Sequence, residues 1–153
     1  MIRLLIVLCL GLLRIEAQSS NYVGIGAGYN GGTTPNFNVT ATFATLITRS
    51  GGLYSFTSGD YYSARTKPYS VTSSLRTGVA MTIRSWSRFT LLEMFNAGAA
   101  GSSGGVAPSL GVGAIGMVRL KSGFALAVDV HEAKQVGAAN WALQSVLQVG
   151  HVW

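Results

Sequence analysis

Asp129, His131 and Glu132 sit within four residues of each other and are the groups in this chain best suited to proton transfer. A histidine with carboxylates close by has the parts of an acid–base site. An ordinary histidine at the end of a strand is the plainer reading of the same residues. Gly24, Gly26 and Gly28 form a loose GxGxG run (GIGAGYNGG), the kind of spacing that can cradle a phosphate. No helix pattern follows it, so a dinucleotide fingerprint is not supported, and small residues facing a crowded interior fit better. Asn38-Val39-Thr40 matches a glycosylation acceptor, but it falls inside a strand pattern and carries little weight. Arg65, Lys67 and Lys134 fall in connections, where they can meet anionic groups or simply be solvated. Two distant histidines and one cysteine make no metal-ligand set, and no cofactor is expected.

The elements that would position these groups begin after a leader. Arg3 precedes an unbroken apolar run, Leu4–Leu13, which is followed by Arg14-Ile15-Glu16-Ala17. That order reads as a secretory signal peptide over residues 1–17. The run is too short for a spanning helix, which needs roughly 20 apolar residues. Cys9 lies inside the leader, so the mature domain, 18–153, has no disulfide to hold it. Losing Arg3, Arg14 and Glu16 leaves nine basic and four acidic residues, a net +5. The basic residues are scattered singly, which argues against nucleic acid and favours anionic lipid or lipopolysaccharide phosphate. Only 10% of the chain is charged, against about 25% in ordinary soluble domains.

Eight segments with period-two alternation follow: 22–29, 37–48, 53–58, 70–84, 89–96, 109–120, 124–131 and 141–153. Val71, Leu75, Val79, Met81 and Ile83 share one face of the fourth, with Arg76, Gly78, Ala80, Thr82 and Arg84 on the other. In the seventh, Phe124, Leu126, Val128 and Val130 oppose Ala125, Ala127, Asp129 and His131. The connections alternate long and short: 30–36, 49–52, 59–69, 85–88, 97–108, 121–123 and 132–140. Ten strands of roughly ten residues would leave too little chain for these connections, and eight fits.

These patterns predict an all-β fold, an eight-stranded antiparallel up-and-down transmembrane β-barrel. In lipid a spanning sheet must close on itself, with its apolar face outward. The aromatic residues Tyr29, Phe37, Tyr54, Tyr69, Phe89, Phe124, Trp141 and Trp153 fall near strand ends, as at membrane interfaces. Arg76, Arg84, Glu93, Arg119 and Asp129, with His131, are expected inside as a paired charge network. A basic residue facing lipid would cost about 2–4 kcal/mol near the midplane. An eight-stranded interior holds side chains rather than an open pore.

At this point the chain resembles the small eight-stranded bacterial outer-membrane barrels, the OmpA transmembrane domain and the OmpX/Ail group. The resemblance spans nearly all of residues 20–153 and rests on pattern. Its sharpest element is the end of the chain, where Trp153 is preceded by Val149 and Leu147 at alternate places, with His151 and Ser145 interrupting the row. The resemblance implies recognition of that segment by the barrel-assembly machinery. It also implies outer-membrane lipid and lipopolysaccharide as surroundings, with surface ligands met through the long loops. Some barrels of this size deacylate lipid A with a histidine and a serine two residues later; here Ala133 holds that second place. The chain is therefore read as a non-enzymatic structural or surface-interaction protein. The alternatives are a lipid-modifying enzyme on the same barrel and a soluble exported barrel carrying an apolar ligand.

Overall fold

The computed structural model describes residues 21–31, 35–36, 39–50, 52–63, 71–102, 105–136 and 141–153. The leader, Phe37, Asn38, Arg65, Lys67 and Tyr69 lie outside the described residues.

Eight strands form: β1 (Tyr22–Gly31), β2 (Val39–Ser50), β3 (Leu53–Ser63), β4 (Val71–Ser85), β5 (Phe89–Ser102), β6 (Gly105–Arg119), β7 (Phe124–Gln135) and β8 (Ala142–Val152). Each pairs antiparallel with the next in sequence. β1 and β8 then pair from Tyr22↔Val152 to Gly31↔Leu143, closing an up-and-down barrel. The two-residue piece Pro35–Asn36 folds back on the end of β1. With the sheet closed, no strand of the barrel is left as an edge with unpaired N–H and C=O groups.

At the end holding Tyr22 and Val152, the connections are short: 51–52, 86–88 and 120–123, the last containing a 3-10 turn at Lys121–Gly123. At the far end, 32–38 and 64–70 are longer. The expected long connection 97–108 is not a loop. β5 and β6 continue pairing up to Ser102↔Gly105. The Gly, Ala and Ser residues there carry no hydrophobic alternation, yet every residue still offers a backbone donor and acceptor to the ladder.

Side chains alternate between the two faces as a pleated sheet requires. The inner face is not polar throughout. Tyr22, Leu46, Tyr54, Phe56, Leu92, Met94, Ile115 and Met117 are buried inside, packed with Ala44, Ala80, Ala125 and Ala127. Tyr54, expected at an interface, is one of them. Most of these residues come from the strand halves nearest the short connections, so that half of the barrel is filled by an apolar core. Gly24 makes room for it: a Cβ there would lie 2.0 Å from the Tyr22 hydroxyl, which donates to Gln148 Oε1 at 3.0 Å.

Candidate functional site

The other half of the interior is polar. Ser58, Asp60, Arg76, Asn96, Ser109, Asp129, His131 and Gln144 are all buried there. They reach the same space because each lies on the inward parity of its strand.

Two clusters stand out. On β3 and β4, Arg76 Nε and Nη2 donate to Asp60 Oδ2 at 3.0 and 2.6 Å, and Ser74 Oγ donates to the same oxygen at 2.9 Å. The Arg76 and Asp60 side chains are 1% and 0% exposed. A charge-assisted pair of this kind satisfies two groups that would each be costly to bury alone. On β7 and β8, His131 Nδ1 lies 2.8 Å from Asp129 Oδ1, and Nε2 is hydrogen-bonded to the Gln144 side chain. Gly113, paired with His131, lets the two strands lie close at this point: a Cβ there would meet His131 Cβ and the Val130 carbonyl. The two clusters occupy opposite sides of the barrel in strand order.

Of the six residues expected in an interior network, Arg76, Asp129 and His131 are inside. Arg119 ends β6 at the barrel mouth and is half-buried. Arg84 and Glu93 are corrections. In β4 the register shifts between Thr82 and Arg84, leaving Ile83 without a counterpart. This bulge reverses the parity beyond it, and Arg84 emerges on the outer face, exposed, with its guanidinium 5.0 Å from the Trp86 ring. In β5 it is Leu92 and Met94 that fill the interior, so Glu93 between them takes the outward parity. It pairs with Met81 and Ala114 and lines a groove of about 370 Å³ with Ile83, Val112, Val130, His131, Glu132 and Leu143. Glu93 is 4% exposed and its Oε1 has no hydrogen-bond partner.

Lys134 is half-buried near the far end of β7. Leu147, Val149 and Trp153 are exposed on the outer face at alternate places. Among the described residues no three His, Cys, Asp or Glu side chains group as metal ligands. The sequence reading missed Asp60, Ser74, Gln144, Tyr22 and Gln148. Continuing the inward parity of Tyr54 and Phe56 through Ser58 would have reached Asp60.

His131 is enclosed in this arrangement rather than open. Both ring nitrogens are engaged, and the residue is 1% exposed. Ala133, two residues on, supplies no hydroxyl.

No protein-family model and no curated protein matches the sequence. Solved structures do. Ail, the attachment invasion locus protein of Yersinia pestis, matches with a TM-score of 0.65 at 13% identity, covering 90% of this chain and 100% of that one. Ail has also been solved with the heparin analogue sucrose octasulfate. Neisserial surface protein A matches with a TM-score of 0.64 at 10% identity, covering 87% of this chain and 94% of its own. The outer-membrane enzyme PagL matches with a TM-score of 0.55 at 12% identity, covering 85% and 98%. At such identities the likeness establishes architecture. The chain has the fold of the small eight-stranded outer-membrane β-barrels.

Proposed function

We propose that this chain is a non-enzymatic protein of the bacterial outer membrane, delivered there by the leader 1–17. In this reading both ends of the barrel domain face the periplasm and the far connections meet ligands at the cell surface. One observation carries it, the exchange of faces. Ile25, Leu75, Leu110, Leu126, Val128 and Leu147 are exposed outside, while Asp60, Arg76, Asp129 and His131 are buried inside. Water would penalise that arrangement and lipid favours it. The same exchange speaks against a soluble exported barrel.

The apolar core in one half supports a closed interior rather than a pore. Leu147, Val149 and Trp153 are the segment offered to the barrel-assembly machinery, and outer-membrane lipid and lipopolysaccharide surround the wall. Arg65 and Lys67 of the connection 64–70, with Lys134 near the far end of β7, are basic residues suited to polyanions; the sugar sulfate bound by Ail is of that chemistry. The enzymatic alternative has PagL as a precedent for the fold, but the inward, doubly bonded His131 argues against it.

Membrane fractionation with heat-modifiable gel migration tests the placement: the folded chain is expected in the outer membrane, migrating faster unheated. Recovery as a soluble periplasmic protein without detergent would overturn it. In planar bilayers no steady conductance steps are expected, and regular open-channel steps would refute the closed interior.

A further inference from the structure

The displaced Arg84 is not alone. Arg88 is exposed in the β4–β5 connection and Lys121 is exposed in the β6–β7 connection. The Arg119 amide donates to the Arg88 carbonyl at 2.7 Å, which ties the two connections side by side. The four acidic side chains of the mature domain, Asp60, Glu93, Asp129 and Glu132, all lie in strands away from these two connections. The rim holding the ends of the barrel chain is therefore basic on this side.

Just inside that rim the outer wall is aromatic. Trp86 and Phe89 have ring centroids 5.1 Å apart. Phe124 meets His151 edge-on at 6.1 Å, and His151 stacks with Trp153 at 6.0 Å. Exposed Trp and Phe at one level of a barrel mark the depth of the membrane interface. Cations immediately beyond that level stand among the headgroups. Arg84 is partly fixed there by its stacking on Trp86, which leaves the guanidinium edge to donate paired hydrogen bonds to phosphate oxygens.

We infer that Arg84, Arg88 and Lys121 form a binding surface for anionic phospholipid headgroups of the leaflet at this end of the barrel. The ligand class is a phosphodiester lipid whose headgroup carries no compensating amine. The proposal rests on the membrane placement given above. It assigns the chain's cations a role on the rim opposite the far connections.

The test uses the full mature chain folded into vesicles of phosphatidylcholine and phosphatidylglycerol, with one or the other lipid brominated in its acyl chains. Trp141→Phe and Trp153→Phe leave Trp86 as the sole fluorophore. Trp86 is expected to be quenched more by brominated phosphatidylglycerol than by brominated phosphatidylcholine at equal mole fraction. Each cation neutralised by Arg84→Gln, Arg88→Gln or Lys121→Gln is expected to cut that preference by up to about fivefold. The Arg88→Lys variant is expected to keep most of it, whereas Arg84→Lys should keep only part, since an ammonium cannot reproduce the paired hydrogen bonds of the stacked guanidinium. Inorganic phosphate added at constant ionic strength should leave the preference in place. Equal quenching by the two lipids, an unchanged preference in the triple Gln variant, or abolition by free phosphate would each overturn the proposal. Heat-modifiable migration measured on the same samples separates the two ideas. A chain that fails to insert sinks the membrane reading, whereas a chain that inserts without lipid preference sinks only this one.

Discussion

Asp60→Ala should be among the most damaging single substitutions in the barrel. The carboxylate oxygen Oδ2 accepts from Arg76 Nε, Arg76 Nη2 and Ser74 Oγ, all at 3.0 Å or less. Truncation removes all three acceptor contacts at once. It leaves a guanidinium that is 1% exposed and whose Nη1 already lacks a partner. Removing one member of a buried pair costs about 3–5 kcal/mol, because the survivor is an uncompensated buried charge. Replacing both members is different: Asp60→Leu with Arg76→Met removes the charge together with its partner and should come out near neutral. The assay is urea-driven unfolding of the chain in lipid vesicles, followed by tryptophan emission, for the wild type, each single variant and the double. A loss below about 1 kcal/mol for Asp60→Ala, the range of solvent-exposed pairs, would mean that water reaches the pair, and the buried-charge reasoning would be refuted.

Three further outcomes follow from the geometry. Glu93→Leu should stabilise the folded barrel in vesicles, by less than the roughly 2–4 kcal/mol that a lipid-facing basic residue costs, and a net destabilisation would show that the carboxylate has a partner. Gly24→Ala should destabilise by about 1–3 kcal/mol through overpacking, since the three atoms nearest its new Cβ all belong to the Tyr22 side chain, and Tyr22→Ala should relieve that clash. Gly28→Ala, whose Cβ would lie 2.0 Å from the Ser145 carbonyl, should gain nothing from Tyr22→Ala, which makes it the control in the same unfolding measurement. His131→Asn should leave lipid A profiles of expressing cells unchanged, and any loss of a modified species by mass spectrometry would revive the enzymatic reading.

The fold was legible where one face of a strand was apolar and the other was not. β7 is the clear case: Leu126, Val128 and Val130 are exposed and Asp129 and His131 are buried, as the alternation implied. β5 defeated the same logic because Leu91, Leu92, Met94 and Phe95 put apolar groups on both faces. The parity of Glu93 then depended on which neighbours the barrel chose to bury. Arg84 was beyond reach for another reason. A bulge is a property of pairing between strands, and nothing local to Ile83 announces one. Asp60 escaped because its stretch of polar and glycine residues read as connection, although it extends β3 by pairing with β4 through Asp60↔Ser74. The apolar half of the interior was hard to read from sequence because Tyr54 lies near a strand end and Ile115 and Met117 share their parity with Gly111, Gly113 and Arg119. An eight-stranded barrel is narrow enough to need bulk inside as well as out.

The seam between β1 and β8 has a consequence for how the barrel is made and how it can be remade. Asn21 N donates to Trp153 O at 2.9 Å and Trp153 N donates to Asn21 O at 3.2 Å, so the first and last described residues are hydrogen-bonded neighbours. That seam pairs residues farther apart in sequence than any other in the sheet, and loop-closure entropy makes it the slowest to form. Once formed, it is a ladder like the other seven. A circularly permuted chain, with these ends joined by a short linker and new ends opened at 64–70, should close the same cylinder with the order of zippering rotated.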